Sequence, residues 1–379
     1  MVQPCPLIDV SGSPHARGVS YGAQAQDRVR LGIGHYTAQL RKLELDALRV
    51  EQLVQAYLPI IDAFDPTYSV EMRGIAEGAN VAFADVAMLN ARTEILKLAS
   101  RPDLLAKIMH QEGPDGCTGL VALPEATADH SVIHAQNWDW KAECAETSVV
   151  LRIRRDDGPD ILTFTEAGGL ARSGFNSAGI GITANYLESD RDYTQAGVPL
   201  ALIRRKVLEQ SDVALAMRAV YCTPKSGSNN MIISHCGGVA IDFECAPDET
   251  FQVHAERGLI VHANHWQSPV ALSKLRDTGI ANTPDSLYRD LRVRSLLTPN
   301  LGRISTDSVK TALFDDFATP YSVCRPPRLN SANNLSATVA MIVMRPAFGE
   351  MDVALLPALQ RDFTRYTLTP GIAARQAAE

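Results

Sequence analysis

The sequence predicts an α+β protein in which sheets are covered by layers of helix, and it does so through a change of texture along the chain. Helical periodicity fills the chain up to about residue 110. From Cys117 onward, short β-type runs come in hairpin-like groups separated by blocks of helix. Between the two textures, Gly113-Pro114-Asp115-Gly116 reads as a turn or linker.

Along the chain, apolar residues return every three or four positions over 40–48 and 50–58, which predicts helix, with breaks expected at Pro59 and at Asp65-Pro66. A further helix is expected over 69–77, and Asp85 is a suitable N-cap for one running through Met88 and Ile95 to Leu98. Past Cys117, alternating and β-branched runs predict strands at 131–135, 148–153, 161–165, 180–184 and 231–234. Helical spacing returns at 200–208, at 213–221 behind the Ser211-Asp212 cap, from Thr283 through Leu297, and at 306–313. Strands are also expected at 238–244, 258–262 and 337–344.

At 379 residues the chain exceeds the size, about 250–300 residues, at which single cores stop growing. The junction divides it into a mainly helical segment, 1–116, and a β-rich segment, 117–379, expected to fold together as one domain. The net charge of −7 comes without a basic stripe, so a small molecule is the expected partner and neither nucleic acid nor an anionic membrane is. No run reaches the roughly 18 apolar residues of a membrane span. Neither a secretory signal nor a peroxisomal address is read at the ends, which leaves the cytoplasm as the expected compartment. Seven scattered cysteines with no C-x-x-C pair are expected to be reduced thiols, not a disulfide framework or zinc ribbon.

One of the seven stands apart. Cys117 follows glycine at the junction, in Asp115-Gly-Cys-Thr-Gly-Leu120. It is either a packing thiol at a strand start or a nucleophile that attacks a strained Gly116–Cys117 peptide. A cut there would place an α-amine, with a pKa of about 7.7–8.0, on the residue that carries the thiol, whose ordinary pKa is about 8.5. One residue would then hold both nucleophile and base. Three distant segments add polar groups in apolar surroundings: Ala135-Gln-Asn-Trp-Asp-Trp140 after a strand, Val261-His-Ala-Asn-His-Trp266 at a strand end, and Tyr321-Ser-Val-Cys-Arg-Pro-Pro327, whose arginine calls for an acidic partner.

Together, Asp115-Gly116-Cys117-Thr118, Gln136-Asn137-Trp138-Asp139, Asn264-His265 and Val323-Cys324-Arg325 resemble the acyl-coenzyme A:6-aminopenicillanic acid acyltransferase family, also called the isopenicillin N acyltransferases. The likeness extends to Glu71-Met-Arg-Gly-Ile-Ala-Glu-Gly78 and Gly174-Phe-Asn-Ser-Ala-Gly179. It implies an N-terminal nucleophile hydrolase with a four-layer αββα sandwich, matured by cutting between Gly116 and Cys117. Cys117 would be the nucleophile, Asn264 an oxyanion donor, and Asp139 with Arg325 an ordering charged pair. Asn185 would add a contact near the site. Trp138, Trp140 and Trp266 read first as core residues, with Trp138 the candidate wall of a substrate pocket. The implied partners are a small amide or acyl-thioester substrate and the chain's own cleaved N-terminal fragment, with homo-oligomerisation left open.

Two other classes compete with this reading. One is a binding protein that keeps the fold without being cut. The other is a Cys-His hydrolase using His134 or His265. No metal or cofactor is expected: His262 and His265, three apart on a strand, would face opposite ways, and no phosphate-cradling glycine loop is found. His134, His235 and His254 read as ordinary strand residues.

Overall fold

The computed structural model describes residues 3–42, 47–98, 116–329 and 335–371; of the turn or linker expected at 113–116, residues 113–115 lie outside it and Gly116 instead opens a strand. The chain begins with a strand the helical texture did not predict, β1 (Leu7–Ser11), five residues long with only Ile8 and Val10 buried. Helix α1 (Pro14–Gln24) follows, with the Ser13 side chain accepting the Ala16 N–H and Pro14 in the first turn. Then come α2 (Gln26–Lys42), α3 (Ala47–Phe64) and α4 (Pro66–Ala79), the last capped by Asp65, which accepts the Thr67 N–H at 3.0 Å.

One expected break is absent and one unexpected break is present. Pro59 lies inside α3, because Val54, Tyr57 and Ile61 keep the apolar stripe on the core across the missing N–H. The helix expected to run from Asp85 to Leu98 is two, α5 (Phe83–Asn90) and α6 (Arg92–Leu98), and Asp85 sits in the first turn of α5, with Ala82 at the cap. The break at Ala91 leaves the Asn90 side chain clamping the 168–170 loop. Its Nδ2 donates to Gly168 O at 2.9 Å and its Oδ1 accepts the Leu170 N–H at 2.9 Å.

Helices α1 and α4 pack backbone to backbone. A Cβ at Gly18, Gly22, Gly74 or Gly78 would lie 2.1–2.3 Å from a carbonyl oxygen of the other helix, so only glycine allows this approach. Glu71 sits at the same contact, accepting from Arg17 Nε at 2.7 Å and Arg205 Nη2 at 3.0 Å.

Two sheets lie face to face. The first runs in the order β1, β4 (Ser148–Arg154), β5 (Ile161–Glu166), β6 (Ser173–Asn176), β7 (Ile180–Tyr186), β8 (Asn229–His235), β9 (Val239–Cys245) and β10 (Thr250–His254). The second runs β11 (Leu259–His262), β2 (Gly116–Ala122), β3 (Ile133–Lys141), β13 (Leu335–Arg345), β14 (Glu350–Leu355) and β15 (Thr364–Thr367), with β12 (Arg328–Leu329) paired to β13. Strand β3 starts later and runs further than expected, so Gln136–Trp140 lie within it and not after it.

Trp138, Phe164, Phe175, Val339 and Met351 meet between the sheets, each such side chain contributing roughly 1.5–3 kcal/mol on burial. Helices α1 to α5, with α7 (Leu200–Leu208) and α8 (Val213–Tyr221), cover the outer face of the first sheet through Ile8, Val149, Leu151 and Ile182. The short α9 (Pro269–Leu272) leads to α10 (Ser286–Leu297) and α11 (Thr306–Leu313), which cover the second sheet at Leu120, Val261, Met341 and Val343. The layers therefore run helix, sheet, sheet, helix: the α+β sandwich that the resemblance implied. Among the described residues, no helix is long and apolar enough to cross a membrane.

Candidate active site

Cys117 lies near the start of β2, flanked on one side by β3, where Gly116 pairs with Asp139 and Cys117 with Trp138. On the other side β11 ends with His262 opposite Gly119. Two residues further along that register stands Asn264, and its side chain takes over the ladder: Oδ1 accepts the Cys117 N–H at 2.9 Å. The same oxygen accepts from Arg289 Nη2 at 2.7 Å, while Asn264 Nδ2 donates to Tyr186 O at 2.8 Å. Sequence reasoning assigned Asn264 a donor role. In the continuous chain it is first of all an acceptor for the Cys117 amide.

A buried chain of charges wraps the same peptide. Thr338 on β13 pairs with Asp139 and donates its hydroxyl to Asp139 Oδ1 at 2.6 Å. Arg325 Nε lies 3.1 Å from Asp139 Oδ2, yet its N–H is aimed at Ser322 O, so this contact is coulombic and Asp139 Oδ2 accepts no hydrogen bond among the described residues. Arg325 Nη2 donates to Asp285 Oδ2, which also accepts from Arg289 Nε at 2.8 Å. Arg289 Nη1 then reaches the Cys117 carbonyl at 2.6 Å and Thr118 Oγ1 at 2.9 Å. Two carboxylates and two guanidiniums balance, which is the condition for holding four charges out of water.

Gly116 has no positive φ, so the glycine is not there for backbone strain of that kind. It is there for room. A Cβ would stand 2.7 Å from Asp139 Oδ2 and 3.1 Å from Arg325 Nη1.

Asn185 crosses from β7 of the other sheet. Its Nδ2 donates to His262 O at 2.9 Å and its Oδ1 accepts from Gln136 Nε2 at 2.8 Å. With Cys117 it lines a cleft of about 720 Å³, mouth included, to which Tyr36, Glu166, Arg172 and Arg204 also contribute. Trp138 is not part of that lining. It is wholly buried between the sheets and reaches the cleft only through Arg172, whose guanidinium lies 3.9 Å over its ring.

His262 and His265 do not diverge, because the strand ends at His262. Their rings stack at 6.1 Å, and His265 Nδ1 meets Ser286 Oγ at 2.8 Å. His262 Nε2 contacts Glu244 Oε1 at 2.7 Å and lies 3.9 Å from Asp242 Oδ2. Burial opposes its protonation, but Asp242 and Glu244 prevail and lift it from 6.5 to about 9. A folded value above the unfolded one adds stability that is complete below pH 6.5 and disappears as pH rises through about 9. Asp242, raised by burial to about 6, titrates on the acid side of that window. The melting temperature of the wild type is therefore expected to fall between about pH 6.5 and 9, and that of His262→Gln to stay flatter there. Parallel curves for the two proteins would refute the assignment.

Arg289 and Asp285 were not singled out from sequence. Four apart at the start of a helix, they look like any solvent-facing pair, and nothing local shows that α10 turns them inward. Thr338 was hidden in the same way within an apolar strand.

The family model described as acyl-coenzyme A:6-aminopenicillanic acid acyl-transferase matches residues 126–356, more than half of the chain. The chain belongs to that family. The matched span holds Asp139, Asn185, Asn264 and Arg325 and begins downstream of Cys117. A relative from Emericella nidulans, the acyl-coenzyme A:6-aminopenicillanic-acid-acyltransferase 40 kDa form, is 27% identical over 324 residues, 84% of either chain. Among solved structures, the chain is similar to a mutant conjugated bile acid hydrolase from Clostridium perfringens, at 13% identity and TM-score 0.48 over 66% of this chain and 92% of that one. It is also similar to penicillin V acylase from Agrobacterium tumefaciens, at 14% identity and TM-score 0.47 over 69% and 89%.

Proposed function

We propose that this member of the acyltransferase family cuts itself between Gly116 and Cys117 and then uses Cys117 to cleave a small-molecule amide through an acyl-enzyme. The observation that carries the reading is convergence: Asn264 holds the nitrogen of the Gly116–Cys117 peptide, Asp139 and Arg325 crowd Gly116, and Arg289 binds the next carbonyl, that of Cys117, beside a cleft that Cys117 lines.

In the first step Cys117 Sγ attacks the Gly116 carbonyl carbon. The C–N bond breaks, the nitrogen ends with the thiol's proton, and Gly116 is left as a thioester on Cys117. Asp139 Oδ2, beside Gly116 and with no hydrogen bond among the described residues, is the proton carrier in this reading. Water hydrolyses the thioester, leaving a Gly116 carboxylate and regenerating the thiol on a residue that now carries an α-amine. Asn264 Oδ1, already 2.9 Å from that nitrogen, holds the amine with its lone pair available to the thiol. Sγ then attacks the substrate's acyl carbon, and the departing amine takes the proton held by the α-amine. Water or an incoming amine resolves the acyl-enzyme. Asn264 Nδ2 has a second hydrogen beyond the one given to Tyr186, and this supplies the oxyanion, a contact whose loss costs about 2.7–4 kcal/mol in such sites. Amides and acyl thioesters both fit as donors, in keeping with the relative's name.

The direct test is mass analysis of a quenched reaction: the peptide beginning with Cys117 should carry the acyl group, and a competing amine should divert it into a new amide. Turnover without any acylated Cys117 would sink the scheme. Gly116→Ala is expected to slow self-cutting about a hundredfold, because the added methyl displaces Asp139 from the peptide. A time course of denatured masses after synthesis measures it, and a wild-type rate would show that the close approach is irrelevant.

A further inference from the structure

The cleft over Cys117 holds more positive than negative charge. Arg92, Arg172 and Arg204 line it against Glu94 and Glu166, so among the described lining residues three guanidiniums face two carboxyl groups. Glu166 is already engaged: Oε1 accepts from the Tyr36 hydroxyl at 2.7 Å, and Oε2 from Arg92 Nε at 3.1 Å and Nη2 at 2.5 Å. Burial raises the Glu94 carboxyl above its ordinary range, and its Oε1 accepts the Leu200 N–H at 2.9 Å. Glu166 attracts Arg172 through space, as it does Arg92, but its hydrogen bonds go to Tyr36 and Arg92, so neither acid accepts a hydrogen bond from Arg172.

Arg172 is 8% exposed, and its guanidinium stacks on Trp138 at 3.9 Å. Its Nε is buried with no hydrogen-bond partner, and no described residue accepts from the guanidinium. An aromatic face stabilises the charge but takes none of the five N–H donors. A buried donor without an acceptor is costly, and a carboxylate, which accepts two parallel N–H bonds, relieves that cost. The loop before Arg172 is pinned: the Tyr21 hydroxyl donates to Gly169 O at 3.1 Å, Asn90 binds the Leu170 N–H, and the Arg172 N–H donates to Thr163 Oγ1 at 3.3 Å. The guanidinium is thus held in place before anything binds.

We propose that Arg172 is an anion-binding residue of the cleft and that the amide cleaved at Cys117 carries a carboxylate seated on it. The second half of this rests on the reading of Cys117 as nucleophile; the first half does not. Two ligand pairs distinguish where the carboxylate sits. Phenylacetylglycine and phenylacetylglycinamide differ on the amine side, and N-benzylsuccinamic acid and N-benzylsuccinamide differ on the acyl side. Calorimetric binding to the purified wild type is expected to favour the acid of at least one pair by about tenfold. Arg172→Gln should bring that acid level with its amide while leaving the affinity of the neutral amide unchanged, which also shows that the variant is folded. Arg172→Lys should recover part of the preference.

Acids and amides bound alike, no binding by any of the four, or a preference that survives Arg172→Gln would overturn the anion site. The same compounds, quenched and analysed for acyl groups on Cys117, separate the two failures. A carboxylate preference without acylation leaves Arg172 standing and removes the nucleophile reading. Acylation without a carboxylate preference does the reverse.

Discussion

Replacing Cys117 with alanine is expected to leave one 379-residue chain under denaturing conditions, where the wild type yields pieces of 116 and 263 residues with Cys117 at the new terminus. Amide turnover should fall by about four orders of magnitude or more, the scale on which loss of a nucleophile acts. The substitution removes one sulfur from a buried position and leaves the backbone contacts of residue 117 in place, since Asn264 and Arg289 bind its N–H and carbonyl. The variant should therefore fold, and its failure to cut would be chemical. Mass spectrometry of the denatured protein decides it. An alanine variant that still splits at residue 117, or a wild type that stays whole while turning over an amide, would end the self-processing account.

The second large effect is expected at Arg325. Leucine there leaves Asp139 with no ion-pair partner among the described residues, only the more distant Arg289 and Arg328, and Asp285 with Arg289 alone, inside a buried region. Breaking a buried pair by removing one partner costs about 3–5 kcal/mol, so the urea midpoint should drop sharply and self-cutting should stop. Arg325→Lys keeps the charge but cannot span Asp139 and Asp285 as the planar fork does. It should regain part of the stability without the wild-type rate of cutting. A leucine variant with an unchanged midpoint would mean that the ionic chain contributes nothing to the fold.

What the sequence made legible divides along physical lines. The helices Leu200–Leu208, Val213–Tyr221 and Thr306–Leu313 were expected at those same residues, because their apolar stripes and starting signals are local. Strands β1, β6, β10, β14 and β15 were not foreseen. They are four to six residues long, and their partners lie far away in sequence or across a turn. In the site, Cys117, Asp139, Asn264 and Arg325 stood out because each is a polar group in apolar or glycine-rich company. The structure gathers all four around one peptide. Asp285, Arg289 and Arg172 did not stand out, since a helical ion pair and a loop arginine are ordinary on a surface, and only the tertiary packing puts them inside.

The parallel pairing of β1 with β4 has a further consequence. The described residues that precede Cys117 do not sit beside the second segment as a detachable propeptide would. They supply a strand to its sheet and, through the glycine-lined contact of α1 with α4, a rigid cover for that sheet's outer face. A gene begun at Cys117 would encode a protein with an open β4 edge and a bare greasy wall, the two features that drive chains to stick to one another. The missing piece, even if made separately, would act as donor-strand partner and built-in chaperone at once.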